Sequence, residues 1–305
     1  MRIVSLLPAA TEICFALGLG DHLVGVSPEC DHPAAARSKP VVSRALLDYE
    51  GKGSSETSRI VGERLDSGRG LYEVDAAALR SAEPDLILTQ GLCEVCAPTL
   101  GDVEQVARQL PRLPEIVSLD PHNLADVLGD IANIGRTCEI EERAHEVVDA
   151  LRGRMERVAR RAGEASERPT AVCLEWLDPL FIAGHWVPEM IRLAGGVDGL
   201  GRPGEKSRRV SSGDVVAASP EVAVLMPCGF DLERTWNEAA VVTEASWWSR
   251  VPAARKKRVW LVNGSSYFNR PGPRLVDGLE ILAHILQPTL FPRPPAPTDA
   301  RPWVA

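Results

Sequence analysis

Short apolar runs and helical patterns alternate along both halves of the chain, and this alternation limits the folds open to it. The predicted strands are residues 3–7, 23–26, 85–89, 115–118, 170–176, 222–226 and 258–262. The predicted helices between and after them are residues 10–19, 103–110, 187–193 and 274–286. Strands that alternate with helices form β-α-β units, which build parallel sheets. The pattern therefore predicts an α/β fold with a parallel sheet in each half.

A long amphipathic segment separates the two halves. Apolar residues recur every three or four positions from Ile140 to Ala162, and the opposite face carries Glu and Arg. No Gly/Ser linker interrupts this segment. We therefore predict two Rossmann-like lobes joined by a single long backbone helix, with a ligand cleft between the lobes. The predicted divisions are a first lobe (1–120), a connecting helix region (121–166), a second lobe (167–287) and a Pro-rich tail (288–305).

Composition narrows the class of protein. The net charge of -8 argues against a general nucleic-acid binder, and the chain contains no run of 18 apolar residues that could insert into a membrane. The apolar start of the chain is interrupted by Pro8 and Glu12, without a clean signal-peptide pattern. The seven cysteines are an odd number, which favours reduced thiols over a disulfide framework. The sequence thus predicts a cytoplasmic protein, expected to be a monomer.

Two segments lack a clear helix or strand pattern. Residues 46–70 are rich in Gly, Ser and charged side chains, which predicts a loop or lid. The Gly-x-Gly within it has no preceding strand and no Gly-Lys-Thr/Ser ending, so it is a poor phosphate loop. The tail after Gln287 is rich in proline, which predicts an extended strap or a disordered end.

The tryptophans are concentrated in the second half of the chain. All seven tryptophans lie beyond residue 175, so a large flat ligand would find most of its stacking surface there. Trp176 is predicted to be a core residue of its strand. Trp186 follows a turn at Pro179, and its side chain is expected to reach the cleft.

Several segments resemble the helical-backbone (class III) ABC-type solute-binding proteins, and in particular the cobalamin-binding members of that family. The segments that carry the resemblance are residues 2–12, 24–27, 30–33, 82–89, 179–184 and 266–274. The resemblance covers residues 1 to 287 and implies the family's fold. It also implies a large ligand held between the lobes, namely cobalamin or another corrinoid. Siderophore, haem and metal binders belong to the same family and stay open as alternatives.

Family positions imply which residues contact the ligand. The implied set is Pro8, Ala9, Cys30, His32, Cys93, Glu94, Phe181, Tyr267 and Phe268. The residues themselves add His185, Trp186 and Arg270 as further candidates for ligand contact. Members that deliver to an importer carry one docking carboxylate on each lobe. Glu94 matches the first position, but Asn269 at the second cannot form a charged pair. The sequence therefore predicts that docking to an ABC importer is doubtful and that the role is intracellular carriage, storage or sensing.

Cys93 and Cys96 form a Cys-x-x-Cys motif in a loop after a predicted strand. Three interpretations stay open: thiols that contact the ligand or ligate a metal, a redox-active dithiol, and a loop in which the cysteines have no special role. His185 and His32 are candidate ligands of a metallated macrocycle. Glu175 and Asp178 flank Trp176, where they could bind amide or hydroxyl groups or serve as cap and turn residues.

No catalytic motif is recognisable. The chain has no Gly-x-Ser-x-Gly, no His-Glu-x-x-His and no dinucleotide fingerprint after its first strand. We therefore predict a binding protein and not an enzyme. The alternatives are a metal- or thiol-dependent redox protein that uses Cys93 and Cys96 on the same scaffold, and a binder of iron–siderophore, haem or metal.

Overall fold

The chain forms two α/β units. The computed structural model describes residues 1–48, 51–67, 70–91 and 97–304. The first unit comprises Met1–Lys52, Arg59–Pro121 and Ala125–Asp149, and the second comprises Gly53–Ser58, His122–Leu124 and Ala150–Ala305.

The first unit is built on a parallel sheet. Strands of this unit are β1 (Ile3–Ser5), β2 (Leu23–Val26), β3 (Ser43–Ala45), β4 (Tyr72–Val74), β5 (Leu86–Thr89) and β6 (Glu115–Ser118). Helices that lie in it wholly or in part are α1 (Pro8–Ala16), α2 (Ser54–Asp66), α3 (Ala76–Ala82), α4 (Leu100–Ala107), α5 (Leu124–Thr137) and α6 (Glu141–Ala162). The parallel sheet has the order β2-β1-β5-β6, and β3 and β4 form a separate antiparallel pair. Its middle strands β1 and β5 are buried along their whole length, as expected for a parallel sheet covered on both faces.

The second unit has a mixed sheet. Strands of this unit are β7 (Thr170–Leu177), β8 (Leu180–Ile182), β9 (Val197–Asp198), β10 (Arg208–Arg209), β11 (Val222–Leu225), β12 (Val259–Val262) and β13 (Ala300–Pro302). Its own helices are α7 (Val187–Leu193), α8 (Ser212–Ala218), α9 (Leu232–Glu238), α10 (Ala240–Thr243), α11 (Pro252–Arg255), α12 (Gly264–Tyr267) and α13 (Leu275–Leu286). The sheet order is β10-β8-β7-β11-β12-β13, with β9 also paired to β7. Strands β7, β9, β11 and β12 pair in parallel, while β8, β10 and β13 join antiparallel.

Local sequence explains where several of these elements begin. Pro8 occupies the first turn of α1, where a missing N–H costs nothing. The Asp75 carboxylate accepts from the backbone N–H groups of Ala77 and Ala78 at 3.0 and 2.9 Å and so caps α3. Ser211 and Asp214 form a reciprocal capping box at the start of α8.

The predicted fold class is confirmed, with parallel-sheet cores in two units and the long amphipathic helix α6 in mid-chain. Region 121–166 contains two helices, α5 and α6, and not one. Among the residues described, no helix is both long and apolar enough to cross a bilayer.

The structure corrects the prediction for residues 46–70. This segment contains the 13-residue helix α2 in place of a continuous loop. Both the N–H and the hydroxyl of Ser54 donate to Glu238 Oε1, at 2.7 and 2.5 Å. A carboxylate distant in sequence thus satisfies donors at the start of α2, a contact that local composition cannot reveal.

The Pro-rich tail ends in an ordered strand. Residues 300–302 form β13, which pairs antiparallel with β12, and the Trp303 N–H donates to the Val259 carbonyl at 2.8 Å. The extended conformation was predicted, but the pairing onto the sheet edge was not. Disorder of the whole tail, the other interpretation of its composition, is wrong for these residues.

Candidate functional site

Two half-buried aromatic side chains and an arginine lie side by side across three strands of the second unit. Trp176 on β7 is directly opposite Phe181 on β8, and Phe181 is directly opposite Arg209 on β10. Directly opposed residues of antiparallel strands share one face of the sheet, with Cβ atoms about 5 Å apart. We call Trp176, Phe181 and Arg209 the aromatic row. It offers a partly exposed apolar surface that ends in a cation.

The Trp176 ring is fixed by its neighbours. Its Nε1 donates to the carbonyl oxygens of Ser54 and Asp178, at 3.2 and 3.1 Å. Its ring meets the buried Phe230 edge-on, with centroids 5.3 Å apart, and the Arg234 guanidinium lies 3.8 Å from the Phe230 centroid. Trp176 is therefore a half-buried, positioned side chain, and the prediction that it belongs to the core is wrong.

Glu175 supports the loops beside the row. A β-bulge between Leu174 and Trp176 takes Glu175 out of the regular pairing. Its carboxylate accepts hydrogen bonds from the Ser207 hydroxyl and the Gly184 N–H, while burial raises its pKa to about 7. Asp178 is exposed, and its carbonyl accepts from Trp176. The Glu175 carboxyl group is thus engaged with the neighbouring loops, while a ligand-binding role for the exposed Asp178 carboxylate stays a prediction.

His185 lies in a tightly built junction. Its φ of 53° is left-handed, and its N–H donates to the Glu205 carbonyl at 2.6 Å, while its own carbonyl accepts from Gly204 N at 2.9 Å. A Cβ on the preceding Gly184 would overlap the backbone of residues 205–207, so only glycine fits there. A non-glycine residue held in this backbone region is a candidate for function.

The His185 imidazole is kept neutral. Burial, His122 and Lys206 lower its pKa, in that order of size. Its ring centroid lies 6.1 Å from that of His122, and its buried Nε2 has no hydrogen-bond partner among the residues described. A neutral imidazole with an uncommitted nitrogen can accept a hydrogen bond or ligate a metal.

Two predicted ligand residues lie in the core. Trp186 is only 5% exposed and Phe268 only 1% exposed, and the Trp186 Nε1 donates to the Phe268 carbonyl at 2.8 Å. Neither ring can contact a ligand without moving. For Trp186 and Phe268 the predicted contact role is therefore corrected to a packing role. The position of Trp186 after the turn at Pro179 does not determine the direction in which its side chain points.

Tyr267 and Arg270 are both half-buried. Burial, followed by a hydrogen bond to Asp299, raises the pKa of Tyr267 to about 12, and the Arg274 guanidinium lies 5.7 Å from its ring centroid. These contacts fix Tyr267 between the tail and the start of α13. Arg270 also has a polar partner.

The remaining predicted residues belong to the first unit. Pro8 is half-buried and Ala9 buried in the first turn of α1, and His32 is exposed. Cys30 is only 3% exposed, and its Sγ lies 3.0 Å from Thr11 Oγ1 and 3.3 Å from Ser27 Oγ. Cys30 is therefore a buried thiol within a hydroxyl cluster, which argues against direct ligand contact. Cys93, Glu94 and Cys96 lie outside the described residues.

A polar recess of about 530 Å³ is also present in the second unit. Its lining consists of residues 198–202, Glu205 and Arg208, and includes no aromatic side chain. It therefore offers no stacking surface for a planar ligand. In the described part of the chain, no group of three or more His, Cys, Asp or Glu side chains is arranged to hold a metal ion.

Sequence reasoning missed three residues of this region, Arg209, Phe230 and His122. For Arg209 a signal existed, since Arg208 and Arg209 are adjacent and must point to opposite faces of a strand. No local signal connects His122 or Phe230 with the row.

The chain is similar to known proteins both in sequence and in structure. A vitamin B12-binding protein of Vibrio parahaemolyticus is 26% identical over 287 residues, covering 93% of this chain and 88% of that protein. An uncharacterized ABC transporter substrate-binding lipoprotein of Bacillus subtilis is 23% identical, covering 95% and 81%. The periplasmic heme-binding protein RhuT of Roseiflexus has a similar structure (TM-score 0.70, 21% identity, coverage 95% and 98%). So does the periplasmic vitamin B12 binding protein BtuF of Vibrio cholerae (0.67, 22%, 94% and 96%).

The prediction of a cytoplasmic protein is wrong. The relatives include proteins named as periplasmic and as a substrate-binding lipoprotein, which points away from the cytoplasm. The prediction rested on the lack of a signal-peptide pattern in the first residues. In the structure Ile3–Ser5 is the buried strand β1 of the first unit, so the apolar character of this segment reflects the sheet and carries no information on compartment.

The family model for periplasmic binding proteins matches residues 3–264, which include both parallel-sheet cores and helix α6, which follows the first core in the sequence. The chain belongs to the periplasmic binding protein family.

Proposed function

We propose that this protein binds a large planar, cofactor-like ligand on the aromatic row, without catalysing a reaction, and that the ligand is a corrinoid such as cobalamin. The observation that carries the proposal is the pair Trp176 and Phe181, two half-buried aromatic side chains on one face of adjacent strands. Half-buried aromatic surface in a rigid setting is suited to a ligand with a broad apolar plane.

The structure supports this role through preorganisation. Two hydrogen bonds and the Phe230 contact fix the Trp176 ring. Phe181 lies on a short strand paired on both sides, to β7 and to β10. A site whose side chains are already ordered loses less conformational entropy on binding, which raises affinity.

The sequence relatives favour a corrinoid. Proteins named as vitamin B12-binding match across more than nine-tenths of this chain. The expectation of intracellular carriage, storage or sensing fails with the cytoplasmic prediction. The expectation that Asn269 lacks the charge for importer docking stays a prediction, as do the proposed roles of Cys93 and Cys96.

A specific observation favours haem as a second candidate. His185 offers a neutral imidazole whose Nε2 has no partner among the described residues, which is the form that ligates haem iron. Heme-binding proteins are also among the structural neighbours.

Calorimetric and spectral titrations test the proposal. We expect saturable binding of cyanocobalamin by the purified protein, and we expect Phe181→Ala to weaken it at least about tenfold because half of the stacking surface is lost. Phe291→Ala is the matched control, since Phe291 is half-buried in the tail beneath Arg161 and is not part of the row. Cyanocobalamin that fails to bind the wild type, or that binds Phe181→Ala unchanged, contradicts the proposal. Haemin binding that His185→Ala abolishes would instead establish the second candidate.

A further inference from the structure

Arg209 is a cation without a partner in the described structure. It is exposed on β10, and it makes no ion pair or side-chain hydrogen bond with any residue between 1 and 304 that the structure describes. The adjacent Arg208 differs, because its guanidinium donates to the Leu200 carbonyl at 3.0 Å. An unpaired arginine beside aromatic side chains, in a chain of net charge -8, suggests that its partner is a ligand.

The strand register places Arg209 beside the stacking surface. It is directly opposite Phe181, which in turn is opposite Trp176, so all three side chains leave the same face of the sheet. β10 is the edge strand of this sheet, and no other strand in the described ranges pairs with its outer side. An arginine side chain at this distance can bring its guanidinium to the rim of a plane stacked on Phe181.

Carboxylates near Arg209 along the chain are already engaged. Glu205 lies 3.7 Å from Arg202, and Asp214 is bonded to Ser211 in the capping box of α8. The Glu175 carboxyl group accepts hydrogen bonds from the Ser207 hydroxyl and the Gly184 N–H. Lys206 adds a further positive charge to the same loop. None of these three carboxyl groups pairs with Arg209, so its guanidinium stays available to an anion on a ligand.

We propose that Arg209 binds an anionic group, a phosphate or a carboxylate, on the rim of the planar ligand that stacks on the aromatic row. This inference rests on the proposed function and narrows its ligand to macrocycles with an anionic substituent. The planar guanidinium matches both anions through two parallel N–H···O bonds, a geometry that lysine cannot reproduce. An arginine on an edge strand can also serve to protect the exposed sheet edge from pairing with another chain. If that were the role of Arg209, Arg209→Gln would leave ligand binding unchanged.

Matched ligand pairs test the assignment and identify the anion. Cyanocobalamin carries a nucleotide with a phosphodiester that dicyanocobinamide lacks, and haemin carries two carboxylates that its dimethyl ester lacks. In one of the pairs, we expect Arg209→Gln to weaken binding of the member that carries the anionic group about tenfold and to leave binding of the other member unchanged. Arg209→Lys should restore only part of the loss. Arg202→Gln, which removes one charge from the same exposed loop, is the matched control and should have a smaller effect on both members.

Each result either supports or overturns the assignment of Arg209 as the residue that binds the anionic group. A response confined to the cobalamin pair assigns Arg209 to the phosphate-bearing nucleotide, and one confined to the haemin pair assigns it to a carboxylate. If Arg209→Gln binds every ligand as the wild type does, or weakens both members of a pair equally, the role of Arg209 is overturned while the proposed function stands. If the wild type binds none of the four macrocycles, the proposed function fails and the inference fails with it. An unchanged thermal unfolding midpoint for Arg209→Gln confirms that the variant is folded.

Discussion

Alanine at Gly278 is expected to lower the free energy of unfolding by about 3 kcal/mol. Gly278 is buried in α13, and a Cβ there would overlap the Tyr267 carbonyl oxygen and lie 3.2 Å from both Met190 Cε and Phe268 Cε1. The oxygen belongs to the backbone of α12 and cannot turn aside as a side chain would. Insertion of the methyl group must therefore push α13 away from its neighbours. Calorimetry and urea unfolding will measure the resulting loss of stability.

Gly129 is the matched control for this substitution. It is also a glycine within a helix, α5, but a Cβ there meets no atom within 4 Å. Gly129→Ala is therefore expected to raise stability by about 0.5 to 1 kcal/mol, because alanine has the higher helix propensity. A Gly278→Ala protein as stable as the wild type would contradict the packing described for α13.

The sequence predicted the parallel-sheet cores because their strands are continuous apolar runs between helices. β2, β6 and α7 have the predicted bounds, and the other predicted strands and α13 agree within two residues at each end. The strands that sequence analysis missed are short and lie outside these runs. β8, β9 and β10 have two or three residues each, too few for a periodic pattern to emerge.

The candidate site was harder to predict because pairing between distant residues creates it. Phe181 was identified through the family resemblance, but its neighbour Arg209 lies 28 positions later and reaches it only through the register of β8 and β10. Trp186 shows the converse error. It stands close to Phe181 in sequence, yet it points into the core and donates to Phe268. Closeness in sequence does not determine which face a side chain occupies.

The stability of the wild-type protein is expected to fall as pH rises from about 4.5 to about 7, with Glu175 as one cause. Burial raises the pKa of this carboxyl group from 4.5 to about 7 in the folded state. Between those values the folded protein binds a proton that the unfolded chain releases, so the free energy of unfolding decreases with pH. The full loss is on the order of 3 kcal/mol and is complete above pH 7. Glu175→Gln removes the charge and keeps a carbonyl acceptor for the Gly184 N–H.

Unfolding by urea at pH 4, 6 and 8 tests this expectation. Glu175→Gln should equal the wild type in stability at pH 4 and exceed it at pH 8. The difference in stability should develop between pH 4.5 and about 7, the pKa values of Glu175 in the unfolded and folded states.

Asp130 is a second carboxyl group whose raised pKa lowers stability as pH rises, since burial, Asp120 and Asp126 raise its pKa to about 7. Asp130→Asn should therefore give a second, independent gain at pH 8, because Asp130 belongs to the first unit and Glu175 to the second. His185 has the opposite sign: its lowered pKa makes stability fall as pH drops below about 6.5, equally in both proteins, so the difference between them isolates Glu175. A difference that does not vary with pH would show that Glu175 is ionised in the folded protein, and its bonds to Ser207 and Gly184 would then stabilise a charge.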